Sequence, residues 1–151
     1  MALEFDAAQG VGAGDDDRAV ARVQTVVERD RCIEIAVETV AARPGGRLVP
    51  VIAGTGSNDT RASIEATRRA AALGADAALI VTPYYNKPDQ RMLEHHYLTV
   101  AEEGGLPIVV YNVPGRTGCN VDVATLVRLS GVPGIVAVKE ASGNISQMVE
   151  I

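Results

Sequence analysis

The feature that most constrains the fold of this chain is a short apolar run that recurs four times. The runs occupy residues 49–53, 77–81, 108–111 and 135–138. They are continuously apolar, which is typical of parallel strands covered on both faces. Helical patterns lie between them, so the sequence predicts repeated βα units joined by right-handed crossovers.

The helical patterns occupy residues 31–42, 59–73, 89–103 and 122–129, and a last one begins at residues 145–151. An aspartate stands at the start of each of the middle three as a candidate N-cap, and glycine follows two of them. The predicted order is therefore α-β-α-β-α-β-α-β-α.

The same helical spacing predicts which helix faces are buried. In residues 59–73 the predicted face consists of Ala62, Ala66, Ala70 and Leu73. In residues 89–103 it consists of Met92, Leu93, Tyr97 and Val100.

Polar residues follow the carboxyl end of every predicted strand, which is where α/β sheets and (β/α)8 barrels place their sites. A complete barrel needs eight strands and roughly 250 residues. This chain has 151 residues and four clear runs. The sequence thus predicts an α/β fold that is either an open parallel sheet or part of a barrel.

Residues 1–27 do not follow this pattern. They include a glycine-rich stretch at residues 10–14 and three consecutive aspartates at residues 15–17. We expect an atypical, flexible N-terminal segment over 1–27 and an α/β domain over 28–151.

Composition and charge exclude several classes of function. The net charge is −5 and the chain has no basic stripe, so nucleic acid is not an expected partner. No long uncharged apolar stretch indicates a membrane span, and the first residues do not resemble a signal peptide. Cys32 and Cys119 match no metal or redox spacing, so we expect no metal and a cytoplasmic location.

Lys139 ends the fourth apolar run and is followed by the small, polar segment 140–144. A lysine delivered to a site by a buried strand is partly desolvated, and burial disfavours its charged form. A neutral lysine is a nucleophile towards carbonyl carbon and can form a Schiff base. The alternative is a strand-end lysine whose amine simply reaches solvent.

The most specific motif spans residues 111–118. Tyr111 stands at a strand end, where its hydroxyl can relay a proton, and Arg116 lies in a loop shaped by proline and glycine. A positioned guanidinium recognises a carboxylate through paired hydrogen bonds, although a solvent-facing arginine in a turn is the simpler reading.

Three further features have weaker interpretations. Residues 54–58 form a βα turn that lacks the third glycine of a dinucleotide fingerprint, so we expect a turn bordering a site. In the proline-stiffened loop 82–88, one of Tyr84 and Tyr85 could reach across a subunit boundary, or both could be ordinary loop residues. His95 and His96 are neighbours on a helix and do not share a face, so they do not indicate a metal site.

Four motifs together resemble the dihydrodipicolinate synthases, which belong to the pyruvate-dependent class I aldolases with N-acetylneuraminate lyase. They are residues 51–56, 81–88, 111–118 and 138–144, and they agree with that family in order and spacing. The resemblance covers about residues 28–151. It implies a partial (β/α)8 barrel, roughly strands 3 to 6. The Gly-Thr-Thr-Gly-Glu motif of that family is not found in this sequence.

The resemblance also implies a function and a role for each site residue. The activity is condensation of pyruvate with L-aspartate 4-semialdehyde to give 4-hydroxy-tetrahydrodipicolinate in lysine and diaminopimelate biosynthesis. Lys139 would form the imine and Tyr111 would relay protons, with Tyr85 reaching a neighbouring subunit of a homo-oligomer. The substrate-binding residues would be Arg116, Thr117 and Gly118, with no cofactor beyond the covalent imine.

Two alternatives stay open. The chain could belong to another pyruvate-dependent aldolase of this family that acts on a sugar acid. It could instead be an inactive half-barrel fragment or an interaction module.

Overall fold

The structure, a computed structural model, describes residues 24–44 and 49–151. Four strands alternate with six helices in this part of the chain: α1 (Val26–Ala41), β1 (Ile52–Gly54), α2 (Thr60–Ala72), β2 (Ala77–Val81), α3 (Gln90–Glu103), β3 (Ile108–Asn112), α4 (Pro114–Thr117), α5 (Val123–Ser130), β4 (Ile135–Glu140) and α6 (Ile145–Glu150). The predicted alternation is confirmed. The single turn α4 is an addition, since that segment was predicted to be a loop.

The four strands form one parallel sheet in the order β1-β2-β3-β4. Each strand therefore pairs with the next strand of the chain, as the repeated βα pattern predicts. The register shifts between β3 and β4, because Ile108 pairs with Ile135 whereas Val109 pairs with Ala137. One residue of β4, Val136, is thus left over, and every later pair is displaced by one position.

The sheet has one face covered by helices and one that is less buried. Along β2 and β3 the exposure alternates, and the buried apolar members are Ala78, Ile80, Ile108 and Val110. They pack with residues of α3 and α5 in the main core, which also contains the buried residues Ile64, Leu93, Tyr97, Val100, Val121, Leu126 and Leu129. Because side chains alternate along a strand, the residues between them lie on the other face.

The predicted buried face of α2 is wrong in part. Ala70 is buried as predicted, but Ala62 is exposed and the other buried positions are Ser63, Ile64 and Thr67. The hydroxyls of Ser63 and Thr67 are satisfied by backbone carbonyls and by other side chains. Hydroxyl groups can be buried at low cost in free energy when they are hydrogen-bonded. A prediction from the spacing of apolar residues therefore missed the buried positions Ser63 and Thr67.

The predicted face of α3 needs one correction. Leu93, Tyr97 and Val100 are buried, whereas Met92 is 61% exposed and His96 is buried instead. The Tyr97 hydroxyl donates a hydrogen bond to the Ile80 carbonyl, which lets a tyrosine serve as a core residue.

Helix α1 begins earlier than the sequence indicated. Thr25 caps it, and the Thr25 and Glu28 side chains each bond the other's backbone amide in a capping box. The proposed division after residue 27 falls inside this helix. Because residues 1–23 lie outside the described part of the chain, the separate N-terminal segment stays a prediction.

The turn after β1 packs directly against β2. The backbone amides of Thr55 and Gly56 both donate to the Leu79 carbonyl. A Cβ atom on Gly56 would lie 2.4 Å from the Val81 backbone nitrogen, which is closer than any real side chain allows. Glycine is therefore required there for close approach of two backbones.

None of the helices in the described part of the chain is both long and apolar enough to cross a bilayer.

Candidate active site

Tyr111 and Lys139 lie side by side on neighbouring strands. They are register partners of β3 and β4, so their side chains leave the same face of the sheet. The Lys139 Nζ atom lies over the tyrosine ring, 4.4 Å from its centroid. At this distance the ring face attracts the ammonium group and holds it beside the phenol.

This pair occupies the carboxyl end of the less buried sheet face. Val81, the last residue of β2, is the register partner of Tyr111 on its other side. Tyr111 and Lys139 are both partly buried. A cation and a phenol therefore meet at the sheet end where parallel α/β folds build their sites.

Arg116 lies near this end, on α4. The turn begins with Pro114 and ends at Gly118, which has φ = 75° and closes the turn by donating its amide to the Pro114 carbonyl. Arg116 itself is exposed. The guanidinium is thus carried by a short, defined turn rather than by an extended loop.

The two residues after Arg116 have structural contacts. The Thr117 side chain is buried, and its hydroxyl donates to the carbonyls of Cys119 and Val113 at 3.0 and 3.3 Å. A Cβ atom on Gly118 would lie 3.2 Å from Cε of Lys87. The turn that carries Arg116 is therefore packed from below by its own neighbours and from one side by the loop after β2.

Tyr85 is not packed against the Tyr111–Lys139 pair within this chain. It is 88% exposed and has a positive φ of 71°, and Lys87 has a φ of 45°. Non-glycine residues seldom adopt this region, and such strain persists only where the surroundings enforce it. The loop is tied to the turn after β1 through Asn86, whose side-chain amide donates to the Asn58 carbonyl.

His95 and His96 have different environments, as neighbours on a helix should. His95 is exposed, whereas His96 is buried and its Nδ1 lies 2.8 Å from the Thr60 hydroxyl. Burial lowers the pKa of His96 to about 4, against a small opposing effect of Asp59. Among the described residues, no group of three histidine, cysteine, aspartate or glutamate side chains could hold a metal ion.

A cluster of polar side chains on the helix-facing side of the same strand ends was missed by sequence reasoning. Its members, here named the polar cluster, are Asn112, Asn120, Glu140 and Gln147. Asn112 directly follows Tyr111 and Glu140 directly follows Lys139, and the two are themselves register partners. The available signal was strand alternation, since a polar residue after a site residue must face the helices.

Glu140 is ionised in this cluster despite its partial burial. Burial tends to raise the pKa of the carboxyl group, but hydrogen bonds from Asn112, Ser142 and Gln147 outweigh it, so the pKa is below its ordinary value. The carboxylate accepts from the Asn112 amide at 2.8 Å and from the Ser142 backbone amide at 2.7 Å. A fixed negative charge therefore lies one residue from Lys139.

Comparison with known proteins decides the family. The model of the dihydrodipicolinate synthetase family matches residues 21–151. The chain belongs to that family. Curated relatives agree: a 4-hydroxy-tetrahydrodipicolinate synthase of Geotalea daltonii is 56% identical over 124 residues, and one of Methylococcus capsulatus is 53% identical over 124 residues.

Solved structures of the dihydrodipicolinate synthetase family share the fold. The enzyme of Acinetobacter baumannii, in complex with pyruvate, superposes with a TM-score of 0.76 at 46% identity and covers 82% of this chain. The enzyme of Bacillus anthracis gives a TM-score of 0.79 at 45% identity and covers 85% of this chain. The four-stranded parallel sheet is therefore part of a (β/α)8 barrel, which resolves the choice between barrel and open sheet.

The chain spans about 41% of the length of these curated relatives, and 41% and 42% of the two solved chains. The match with the Geotalea daltonii relative covers 82% of this chain. The paired Tyr111 and Lys139 lie within the part matched by the family.

Proposed function

We propose that this chain carries the imine-forming face of a 4-hydroxy-tetrahydrodipicolinate synthase, with Lys139 as the nucleophile and Tyr111 as its proton relay. The observation that carries the proposal is the registered pair itself, in which Nζ of Lys139 lies 4.4 Å from the centroid of the Tyr111 ring. The names of the relatives support the same activity.

The first step joins pyruvate to the lysine. The neutral amine of Lys139 attacks the keto carbon of pyruvate, forming a C–N bond while the carbonyl oxygen takes up a proton. That oxygen then takes up a second proton, which the nitrogen gives up, and leaves as water, so that an iminium ion remains. Tyr111, whose ring lies beside the amine, would deliver the first proton and receive in return the one that the methyl group later loses.

The second step uses the iminium ion as an electron sink. The pyruvate methyl group loses a proton and becomes the nucleophilic carbon of an enamine. This carbon attacks the aldehyde of L-aspartate 4-semialdehyde, and the aldehyde oxygen becomes a hydroxyl group. The semialdehyde amine then displaces Lys139 from the former keto carbon, which closes the ring and restores the lysine.

The segment Arg116, Thr117 and Gly118 would bind the semialdehyde carboxylate. The guanidinium can make paired hydrogen bonds to it, and the short turn limits where the guanidinium can reach. Tyr85 would complete the relay in a neighbouring subunit of a homo-oligomer, a role compatible with its high exposure in one chain. One solved relative is a monomeric variant, so size-exclusion chromatography of this chain is the measurement that tests the homo-oligomer.

The proposed reaction uses no cofactor, since the covalent imine supplies the electron sink. We place the activity in the cytoplasm, where pyruvate and the semialdehyde of amino-acid biosynthesis would be available.

Trapping with borohydride tests the proposal. The full chain is incubated with pyruvate and sodium borohydride, which reduces an imine to a stable secondary amine, and the product is measured by intact mass and peptide mapping. We expect one reduced pyruvate adduct on Lys139. The sequence contains only two lysines, Lys87 and Lys139, so peptide mapping distinguishes an adduct on Lys139 from one on Lys87 or on the terminal amine.

Lys87→Arg is the matched control, because it removes the other lysine and retains the charge. It should label like the wild type, whereas Lys139→Arg should not label at all. An adduct that persists in Lys139→Arg, or none in the wild type, would reject the imine site.

The alternative of an inactive half-barrel fragment or interaction module is tested by the same experiment. An unlabelled but cooperatively folded wild type would support this alternative.

A sugar-acid aldolase would label on Lys139 as well. Competition separates it from the synthase, because L-aspartate 4-semialdehyde should consume the enamine and lower the yield of trapped pyruvate. A sugar aldehyde should do so only in the alternative enzyme.

A further inference from the structure

Asn112 and Glu140 occupy the positions directly after the proposed catalytic pair. Tyr111 and Lys139 are register partners, and so are Asn112 and Glu140. Side chains alternate across a strand, so the second pair lies on the opposite face of the sheet from the first. The same two strand ends therefore carry the reacting groups on one face and a hydrogen-bonded polar pair on the other.

The hydrogen bonds of Asn112 use its entire carboxamide. The side chain is fully buried. Its nitrogen donates to Glu140 Oε2 and to Asn120 Oδ1, both at 2.8 Å, and its oxygen accepts from the Val121 backbone amide at 3.0 Å. Asn112 thus links β3 to β4 and to the segment before α5.

Both carboxylate oxygens of Glu140 also accept hydrogen bonds. Oε1 accepts from the Ser142 backbone amide at 2.7 Å, and Oε2 accepts from Asn112 and from Gln147 at 2.8 and 3.1 Å. Gln147 lies on α6 and exchanges hydrogen bonds with Asn120. The carboxylate therefore joins the end of β4 to the next helix as well as to β3.

This arrangement matters because the polar cluster lies at the carboxyl end of β3 and β4, beyond the one-residue shift in the register of β4. At the shift itself, Val136 and Ala137 are exposed and enforce no register, so among the apolar residues of β4 only the partly buried Ile135 and Val138 pack against the main core. The hydrogen-bonded pair Asn112 and Glu140 can enforce the shifted register, because its donors and acceptors match only in that register.

We infer that Asn112 and Glu140 are positioning residues, which hold β3 and β4 in the shifted register and thereby keep Lys139 beside Tyr111. The inference rests on the proposed function, because the positioned groups are those of the imine site. A displacement of about 1 Å at a reacting group can lower a rate by about 100-fold.

Two single variants disturb the pair without removing side-chain volume. In Glu140→Gln one carboxylate oxygen becomes an NH2 group. This donor then faces another donor in either orientation of the amide, namely the Ser142 backbone N–H or the Asn112 side-chain NH2. In Asn112→Asp a donor becomes an acceptor that faces the oxygens of Asn120 and Glu140. We expect the maximal rate of borohydride trapping to fall about tenfold in Glu140→Gln and further in Asn112→Asp.

The double variant Asn112→Asp with Glu140→Gln is the rescue. Its glutamine amide can donate to the new aspartate while its oxygen still accepts from Ser142, so the inter-strand bond is restored with reversed polarity. We expect a trapping rate within about threefold of the wild type and a wild-type pH profile. Glu94→Gln is the control, because its partner Arg128 lies on α5, away from the strand ends.

The outcomes separate the two proposals. A wild type without adduct would overturn the proposed function and the positioning role with it. A wild type that labels, with Glu140→Gln folded by circular dichroism and labelling at the same rate and with the same pH profile, would overturn the positioning role only. A folded double variant no faster than the single variants would also overturn it. If Asn112→Asp does not fold, Glu140→Gln and the double variant still decide.

Discussion

Lys139 and Tyr111 stand opposite each other because β4 contains one residue more than β3 between their first and last pairs. Ile135 pairs with Ile108, and an unshifted register would place Val138 opposite Tyr111. The extra residue brings Lys139 there instead and turns its side chain to the same face as the phenol. Lys139 Nζ then lies 4.4 Å from the ring centroid.

Removal of the Tyr111 hydroxyl should separate its chemical role from its packing role. Tyr111→Phe retains the ring beside Lys139 but has no proton to transfer. We expect pyruvate trapping to slow by about 100-fold, the lower range for loss of general acid–base catalysis. Trapping rates over a range of pyruvate concentrations, with thermal melting as the measure of folding, check this. An unchanged maximal rate would assign the proton relay elsewhere.

The turn after β1 should tolerate a side chain at one glycine and not at the other. Gly56→Ala places a methyl group 2.4 Å from the Val81 nitrogen, and we expect a loss of about 2 kcal/mol or more in the free energy of unfolding. Gly54→Ala is the matched control, since no atom lies within 4 Å of its added Cβ. It should change stability by about 0.5 kcal/mol or less. Urea denaturation of both variants provides the test, and equal losses would contradict the close approach.

His96 should make the protein less stable in mild acid. Burial holds its pKa at about 4 in the folded state, whereas the ordinary value is 6.5. Between these values the unfolded chain binds a proton that the folded chain does not, so stability falls as the pH drops from 6.5 to 4. The contribution amounts to about 3 kcal/mol over that window.

The pH dependence can be assigned by comparing the two neighbouring histidines. His96→Gln should flatten the loss of stability between pH 6.5 and 4, measured by urea unfolding at several pH values. His95→Gln, at the exposed neighbour, should leave the slope unchanged. A His96→Gln variant with the wild-type slope would show that other groups cause the acid sensitivity.

Local pattern was sufficient for the order of the strands and of most helices, but it missed α4 and the start of α1. The run at 77–81 became β2 without change, and Asp59 and Asp89 cap α2 and α3 as predicted. Asp122 stands at the start of α5 but its side chain makes no capping bond, and it accepts from Asn120 instead. Helix caps and apolar runs depend on residues that are neighbours in the sequence, so they can be predicted from the sequence alone.

The buried faces of the helices were predicted less well. The alanine spacing of α2 indicated a face that is wrong in part, because Ser63 and Thr67 are buried with their hydroxyls hydrogen-bonded. Two of these hydrogen bonds go to carbonyls four residues earlier in the chain, so the helix itself supplies the partners. The 2.8 Å contact between Thr55 and Thr67 instead joins the helix to the turn after β1, which only folding brings near.

The amino-acid sequence by itself determined the βα repeat, the sheet end that bears polar residues and the resemblance that led to the family. It also singled out Lys139, Tyr111 and Arg116 as candidates. Only the tertiary structure decided that Lys139 faces Tyr111, because the one-residue shift in β4 arises from pairing between strands rather than from either strand. Only it placed Asn112 against Glu140, since residues 28 positions apart in the chain meet through a parallel register.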